Sequence, residues 1–129
     1  MEQNPFENMP VIDCYTRAQA IEDGVLVDLS DWARESGGFK SPVAVTAAVW
    51  ADLHNIPARY SHCSVRGRAH DLFWMARWAV KPNGDNTIAY FRLIMPLTGT
   101  RKRLQTYKMV AGPGDAGELV ITVMQPHED

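Results

Sequence analysis

Three histidines and a cysteine are near enough along the chain to raise the question of chemistry: His54, His62, Cys63 and His70. Imidazole and thiolate are the common ligands of zinc, but structural zinc sites draw them in tightly spaced pairs. These four match no such frame, and no Cys-x-x-Cys occurs. Cys63 with His62 or His70 would also suit nucleophilic catalysis, which needs a third group to orient the base. Nothing in the residue order supplies one, so solvated or capping histidines are the simpler reading. The expected metal and cofactor complement is none. Cys14 and Cys63 are far apart in sequence, and two reduced thiols are expected rather than a disulfide.

A second feature is Gly112-Pro113-Gly114-Asp115-Ala116-Gly117. Glycine-rich loops cradle phosphates when they open a helix and carry a Lys-Ser/Thr pair. This one lies between two β-prone runs and lacks that pair. A hairpin loop whose glycines take positive φ fits better, with Gly112, Gly114 and Asp115 as its candidate binding groups. Cationic side chains form a third set. Arg59, His62, Arg66 and Arg68 crowd one polar stretch, and Arg101-Lys102-Arg103 follows Gly99. Arg101, Lys102 and Arg103, joined by Arg66 and Arg68, would make one local basic patch on a chain of net charge -2. With that overall sign, a solvated hairpin tip is a better reading than a nucleic-acid sleeve, and any RNA or DNA binding would be weak.

The fourth and strongest feature is the stretch Ala69 to Val80. At about 100° per residue, Leu72, Phe73, Met75, Ala76, Ala79 and Val80 share a broad apolar face. The opposite face carries His70, Trp74, Arg77 and Trp78, so two indoles stand at i, i+4 where a surface helix normally presents charge. Tryptophan and arginine are the residue types that dominate interface hot spots. A tryptophan stripe at helical spacing is more often packing than function, so at least one of the indoles is expected in the core.

The elements that must position these groups follow from local pattern. Residues 1–10 hold two prolines without periodicity and read as an arm, and Val11-Ile12 starts a short strand. Thr16-Arg17-Ala18-Gln19 has capping-box spacing and Gly24 fits a left-handed C′ position, giving a helix from Arg17 to Asp23. Val25 to Leu29 is β-prone. Ser30 is placed to cap a helix from Asp31 to Ser36, closed by Gly37-Gly38. Ser41-Pro42 has the form of a helix start, predicting a helix from Pro42 to about Leu53. Ala58 to Arg68 reads as a loop, and Lys81 to Asn86 as a turn.

Three β runs close the chain. Thr87 to Met95 is apolar on both faces apart from Arg92, as for a strand covered on both sides. Leu104 to Val110 and Leu119 to Met124 follow at short spacing. The predicted architecture is α+β: a C-terminal three-stranded antiparallel meander packed against N-terminal and central helices, in one domain spanning 1–129. Hydrophobic content of 46% and charged content of 22% suit a soluble globular chain. No run approaches a membrane span and the N-terminus has no signal-like region, so a cytoplasmic protein without membrane contact is expected.

The blocks Tyr15 to Leu29, Phe39 to Trp50, Asp71 to Trp78, and Gly112 to Asp115 before Glu118 to Met124 resemble a family of small uncharacterised proteins carried on bacterial plasmids, prophages and integrative elements. Leu119 departs from the proline expected there. The resemblance spans most of the chain and implies a mobile-element setting, with no activity or catalytic residue attached. Small proteins of that setting often act by occupying a host machine, such as a restriction or CRISPR effector. The expected function is therefore a non-enzymatic accessory protein that binds a host or defence-system protein, a counter-defence inhibitor. The alternative is a small-molecule or nucleotide binder, or a small enzyme, built on the Arg/His-rich 59–70 segment and the Gly112–Gly117 loop. Nothing in the pattern sets an oligomeric state.

Overall fold

A computed structural model describes residues 15–79 and 87–129. The expected arm, the Val11-Ile12 strand and the Lys81–Asn86 turn lie outside the described residues. The first helix, α1 (Arg17–Glu22), begins with the reciprocal capping box: Gln19 N–H donates to Thr16 Oγ1 at 3.0 Å and Thr16 N–H to Gln19 Oε1 at 2.9 Å. Gly24 at φ 78° turns the chain into strand β1 (Leu26–Asp28).

Helix α2 (Ser30–Gly37) closes on Gly38 in the left-handed region. Its cap differs from the expectation. Leu29 occupies the N-cap position and Ser30 is helical. The Ser30 hydroxyl donates to Asp28 Oδ1 at 2.5 Å and accepts from the Val43 amide at 3.0 Å, so it ties the helix start to the sheet.

The helix predicted from Pro42 is corrected. Val43–Thr46 form strand β2, and the helix α3 starts only at Ala47, running to His54. Val43, Val45 and Thr46 are β-branched, which favours extended backbone. The run also sits between two strands, with Val43, Ala44 and Val45 almost wholly buried, a position a helix cannot fill. Thr46, not Ser41, is the N-cap, its Oγ1 accepting from Val49 N at 3.3 Å.

The predicted 58–68 loop is also shorter than expected. A 3₁₀ turn at Ala58–Tyr60 leads to α4 (Val65–Ala79), which begins four positions before Ala69 because the Ser64 hydroxyl accepts the Gly67 amide at 3.0 Å.

Strands β3 (Ile88–Ile94), β4 (Leu104–Pro113) and β5 (Leu119–Met124) complete an α+β architecture. β3 pairs antiparallel with β4, and β4 antiparallel with β5. They do not stand alone as a three-stranded meander. β5 also pairs parallel with β2, which pairs antiparallel with β1, giving a mixed five-stranded sheet in the order β1-β2-β5-β4-β3. The run expected to be helical thus supplies the strand that joins β1 to the C-terminal strands.

One face of the sheet carries Val43, Val45, Leu93, Tyr107, Met109 and Val123, against which α2, α3 and α4 pack Ala33, Leu53, Leu72 and Phe73. Burying each Val, Leu, Phe or Met side chain of this set contributes about 1.5–3 kcal/mol. α1 packs beside β1, and from there Arg17 reaches the other face of the central strand β5, donating from Nη1 to Thr122 Oγ1 and from Nη2 to the Ile121 carbonyl, both at 2.7 Å. β3 is an edge strand covered on one side only. Phe91 and Leu93 are buried, whereas Ile88, Tyr90, Arg92 and Ile94 are exposed, which corrects the expectation of a strand buried on both faces.

Candidate functional site

The helix α4 is positioned by what it buries. Ala69, Leu72, Phe73 and Ala76 have no exposure at all and seat the helix between α2 and β3. The same 3.6-residue period then sends His70, Trp74, Arg77 and Trp78 outward. Trp74 is 42% exposed and Trp78 67%. Neither belongs to the core, contrary to the expectation for at least one of them. Among the described residues α2, α3 and α4 cover this face of the sheet in a single layer, so the outer side of α4 meets no second one there. Met75, expected on the buried face, is likewise 37% exposed.

The exposed groups form a continuous ladder. The His70 ring lies parallel to the Trp74 indole, 6.5 Å between centroids and 7° between planes. Trp74 and Trp78 meet edge to face at 5.9 Å and 79°, the arrangement favoured by aromatic quadrupoles. The Arg77 guanidinium stands 5.7 Å from the Trp74 centroid and 5.9 Å from that of Trp78, spanning both rings. The indoles are thus held in place on a rigid helix, so little side-chain entropy remains to be lost when a partner covers them.

The other cations are placed apart from this ladder, and they are not equivalent. Arg66 makes an ion pair with Glu35 of α2 and lies over the Trp32 ring at 5.6 Å. Arg68 is only 7% exposed, donating to the carbonyls of Asn55 at 3.2 Å and Pro96 at 2.8 Å. Burial lowers its pKa through desolvation. It ties the segments at Asn55 and Pro96 to α4, and, buried against those carbonyls, it does not extend an exposed basic patch. Arg101, Lys102 and Arg103 are exposed on the connection between β3 and β4.

The Gly112–Gly117 segment is the β4–β5 hairpin loop, with Gly112 still in β4 and Gly117 at φ 82°. Gly114 donates its amide to the Glu118 carbonyl at 2.6 Å. Asp115 acts as a clasp between this loop and α1, its two carboxylate oxygens accepting the amides of Arg17 at 2.8 Å and Ala18 at 3.0 Å. Those bonds from Arg17 and Ala18 hold its carboxyl below the usual range. With Thr16 taking the Gln19 amide, the opening amides of α1 are satisfied from two directions. The carboxylate that would repel a phosphate is aimed at α1.

Cys63 sits beside Tyr60, Arg68, Asp71 and Met95 around a cavity of about 70 Å³, well below the size of ordinary ligand pockets. The His62 ring lies tilted to that of Tyr60, 6.2 Å between centroids and 59° between planes, and His70 Nδ1 lies 3.5 Å from Asp71 Oδ1. Among the described residues, no group of three or more His, Cys, Asp or Glu side chains could hold a metal ion. No described helix is long and apolar enough to cross a membrane.

One polar cluster was missed from the sequence. The buried Tyr107 hydroxyl donates to Asp52 Oδ2 at 2.8 Å, and Gln125 Nε2 donates to the same oxygen at 3.0 Å. Burial, reinforced by that hydrogen bond, raises the Tyr107 pKa above its ordinary value. The available signal was Asp52 itself, a carboxylate on the short helix α3 beside the wholly buried Val49 and Leu53. The cluster borders an open, polar cleft of about 230 Å³ with Lys102 and His127.

A family described only as a family of unknown function, DUF6573, matches residues 1–129. No curated protein and no solved structure matches the chain.

Proposed function

We propose that this chain, which belongs to DUF6573 across residues 1–129, is a mobile-element accessory protein that docks on a host or defence-system protein through the outer face of α4. The observation that carries the reading is the pair of exposed indoles, 42% and 67% accessible and spanned by Arg77. A protein in water places large aromatic surface outward on a rigid helix at a cost in solubility, and such patches mark interaction sites. Aromatic and arginine anchors supply most of the energy of typical interfaces. The Arg77 guanidinium favours a partner groove with an acidic border.

The ordered sequence blocks that resemble small proteins of plasmids, prophages and integrative elements support the setting, in which a small protein acts by occupancy of a restriction or CRISPR effector. A small-molecule reading built on the 59–70 segment and the Gly112–Gly117 loop has less support, because Arg68 is buried against carbonyls and Asp115 caps α1.

The test is partner capture by the full chain and by the Trp74→Ala/Trp78→Ala double variant from cells that carry the candidate defence system. A loss of about 2 kcal/mol or more, roughly 30-fold in affinity, is expected for the double variant. Equal capture by a folded double variant removes the α4 face as the docking site.

A further inference from the structure

We propose that β3 is the seam of a two-fold dimer, its free edge pairing antiparallel with β3 of a second copy to continue the sheet. β3 ends the strand order, with β4 as its one strand neighbour among the described residues. The β4 ladder engages the odd-numbered residues, as shown by Ala111 N–H donating to the Thr87 carbonyl at 2.7 Å and Met95 N–H to the Arg103 carbonyl at 2.8 Å. Antiparallel ladders use alternate residues on each edge. The amides and carbonyls of Ile88, Tyr90, Arg92 and Ile94 therefore point away from β4, along the edge of the sheet.

These four residues are also the ones whose side chains stand exposed on the outer sheet face. Their order is self-complementary. With the two-fold axis at Phe91, the midpoint of Ile88–Ile94, each Ile88 faces Ile94 of the second copy and each Tyr90 faces Arg92 of the second copy. The outer face would then show an apolar pair at each end and two tyrosine–guanidinium pairs at the centre, both favourable cross-strand combinations. All four edge residues of each copy would exchange both backbone hydrogen bonds, giving eight across the axis.

Shifting the register by two residues sets Tyr90 against Tyr90, or Arg92 against Arg92, and removes this match. An isologous interface requires that kind of self-matching surface. Tyr90 at 61% and Ile94 at 65% exposure are accessible to the side chains of a second copy on that face. This inference does not rest on the α4 docking site, whose ladder lies on a different element.

Sedimentation velocity of the unsubstituted full chain across a concentration series reads the association directly. A species of twice the 14.5 kDa chain mass is expected. Tyr90→Lys sets an ammonium against Arg92 of the other copy, and Arg92→Glu sets a carboxylate against the Tyr90 ring, so each single variant should weaken the dimer by at least ~10-fold. Combining Tyr90→Lys with Arg92→Glu sets the new ammonium against the new carboxylate across the axis in this register alone, and should restore affinity to within a few-fold of the original.

Hydrogen exchange on the unsubstituted protein supplies a second readout. Protection at the Tyr90 and Arg92 amides should rise with protein concentration. A chain that stays monomeric throughout the series overturns the inference and makes Arg92 a guard against edge pairing. So does a dimer indifferent to both single variants, or one that the double variant leaves weakened.

Discussion

Replacing Trp78 by alanine should separate surface from core on a single helix, with Phe73 as the internal reference. Phe73 has no exposure, and truncating such a side chain costs about 3–5 kcal/mol through lost transfer energy and the cavity left behind. Trp78 keeps 67% of its exposure, so only a third of its surface is withdrawn from water and the same scale gives about 1–1.5 kcal/mol. Alanine also returns roughly 0.5 kcal/mol as a better helix former. The net cost at Trp78 is then about 0.5–1 kcal/mol. Trp74, at 42% exposed, falls between, near 1–2.5 kcal/mol. For a chain of this length a kilocalorie moves the melting temperature by roughly 3–5 °C. Urea denaturation of the three single variants, read at a common slope, gives the order Phe73 above Trp74 above Trp78. If Trp78→Ala proves as destabilising as Phe73→Ala, the indole is packed, and both the energetic argument and the docking surface fail with it.

Tyr107→Phe deletes the hydroxyl that reaches Asp52 and leaves the ring in place, so a loss of about 1.5–3 kcal/mol is expected by denaturant titration. Tyr107 also has a raised pKa, so its contribution is present below pH ~10 and is lost as pH rises through the folded value; alkaline destabilisation should be milder in the variant. The lowered pKa of Asp115 works in the other direction: its contribution holds above pH ~4 and disappears as pH falls through the folded value, so Asp115→Asn should flatten the acid limb of a melting-temperature series. Gly114→Ala drives a Cβ into Glu118 Oε1 and sets it 2.8 Å from Val120 Cγ1. The glutamate tip can swing aside, but the valine is part of β5, and a cost of about 1–3 kcal/mol is expected in thermal melts.

Local signals in the chain were reliable where the physics is local. The Thr16–Gln19 capping box, the left-handed glycines at 24 and 38, and the β4–β5 hairpin loop all depend on neighbours within a few residues, and each was legible from residue type and spacing. So was the inner stripe of α4, apart from Met75 and from Val80, which lies outside the described residues. The seven-residue run at Ile88–Ile94 was equally clear as a strand.

Other features were decided by packing between distant parts of the chain. Val43–Thr46 carries apolar residues that suit a buried helix or a buried strand, and pairing with β1 on one side and with Ile121–Val123 of β5 on the other makes it a strand. Asp115 reads as a loop residue until the fold brings it to α1, 98 positions away from Arg17. Arg68 looked like a surface cation, and the carbonyls that take it into the interior come from Asn55 and Pro96. The two indoles had a helical address in the sequence, but whether that address faced protein or water depended on the number of layers around α4. A periodic pattern states which residues share a face, because backbone geometry repeats along the chain. Which face is covered follows from long-range contacts, whose partners that repeat does not encode.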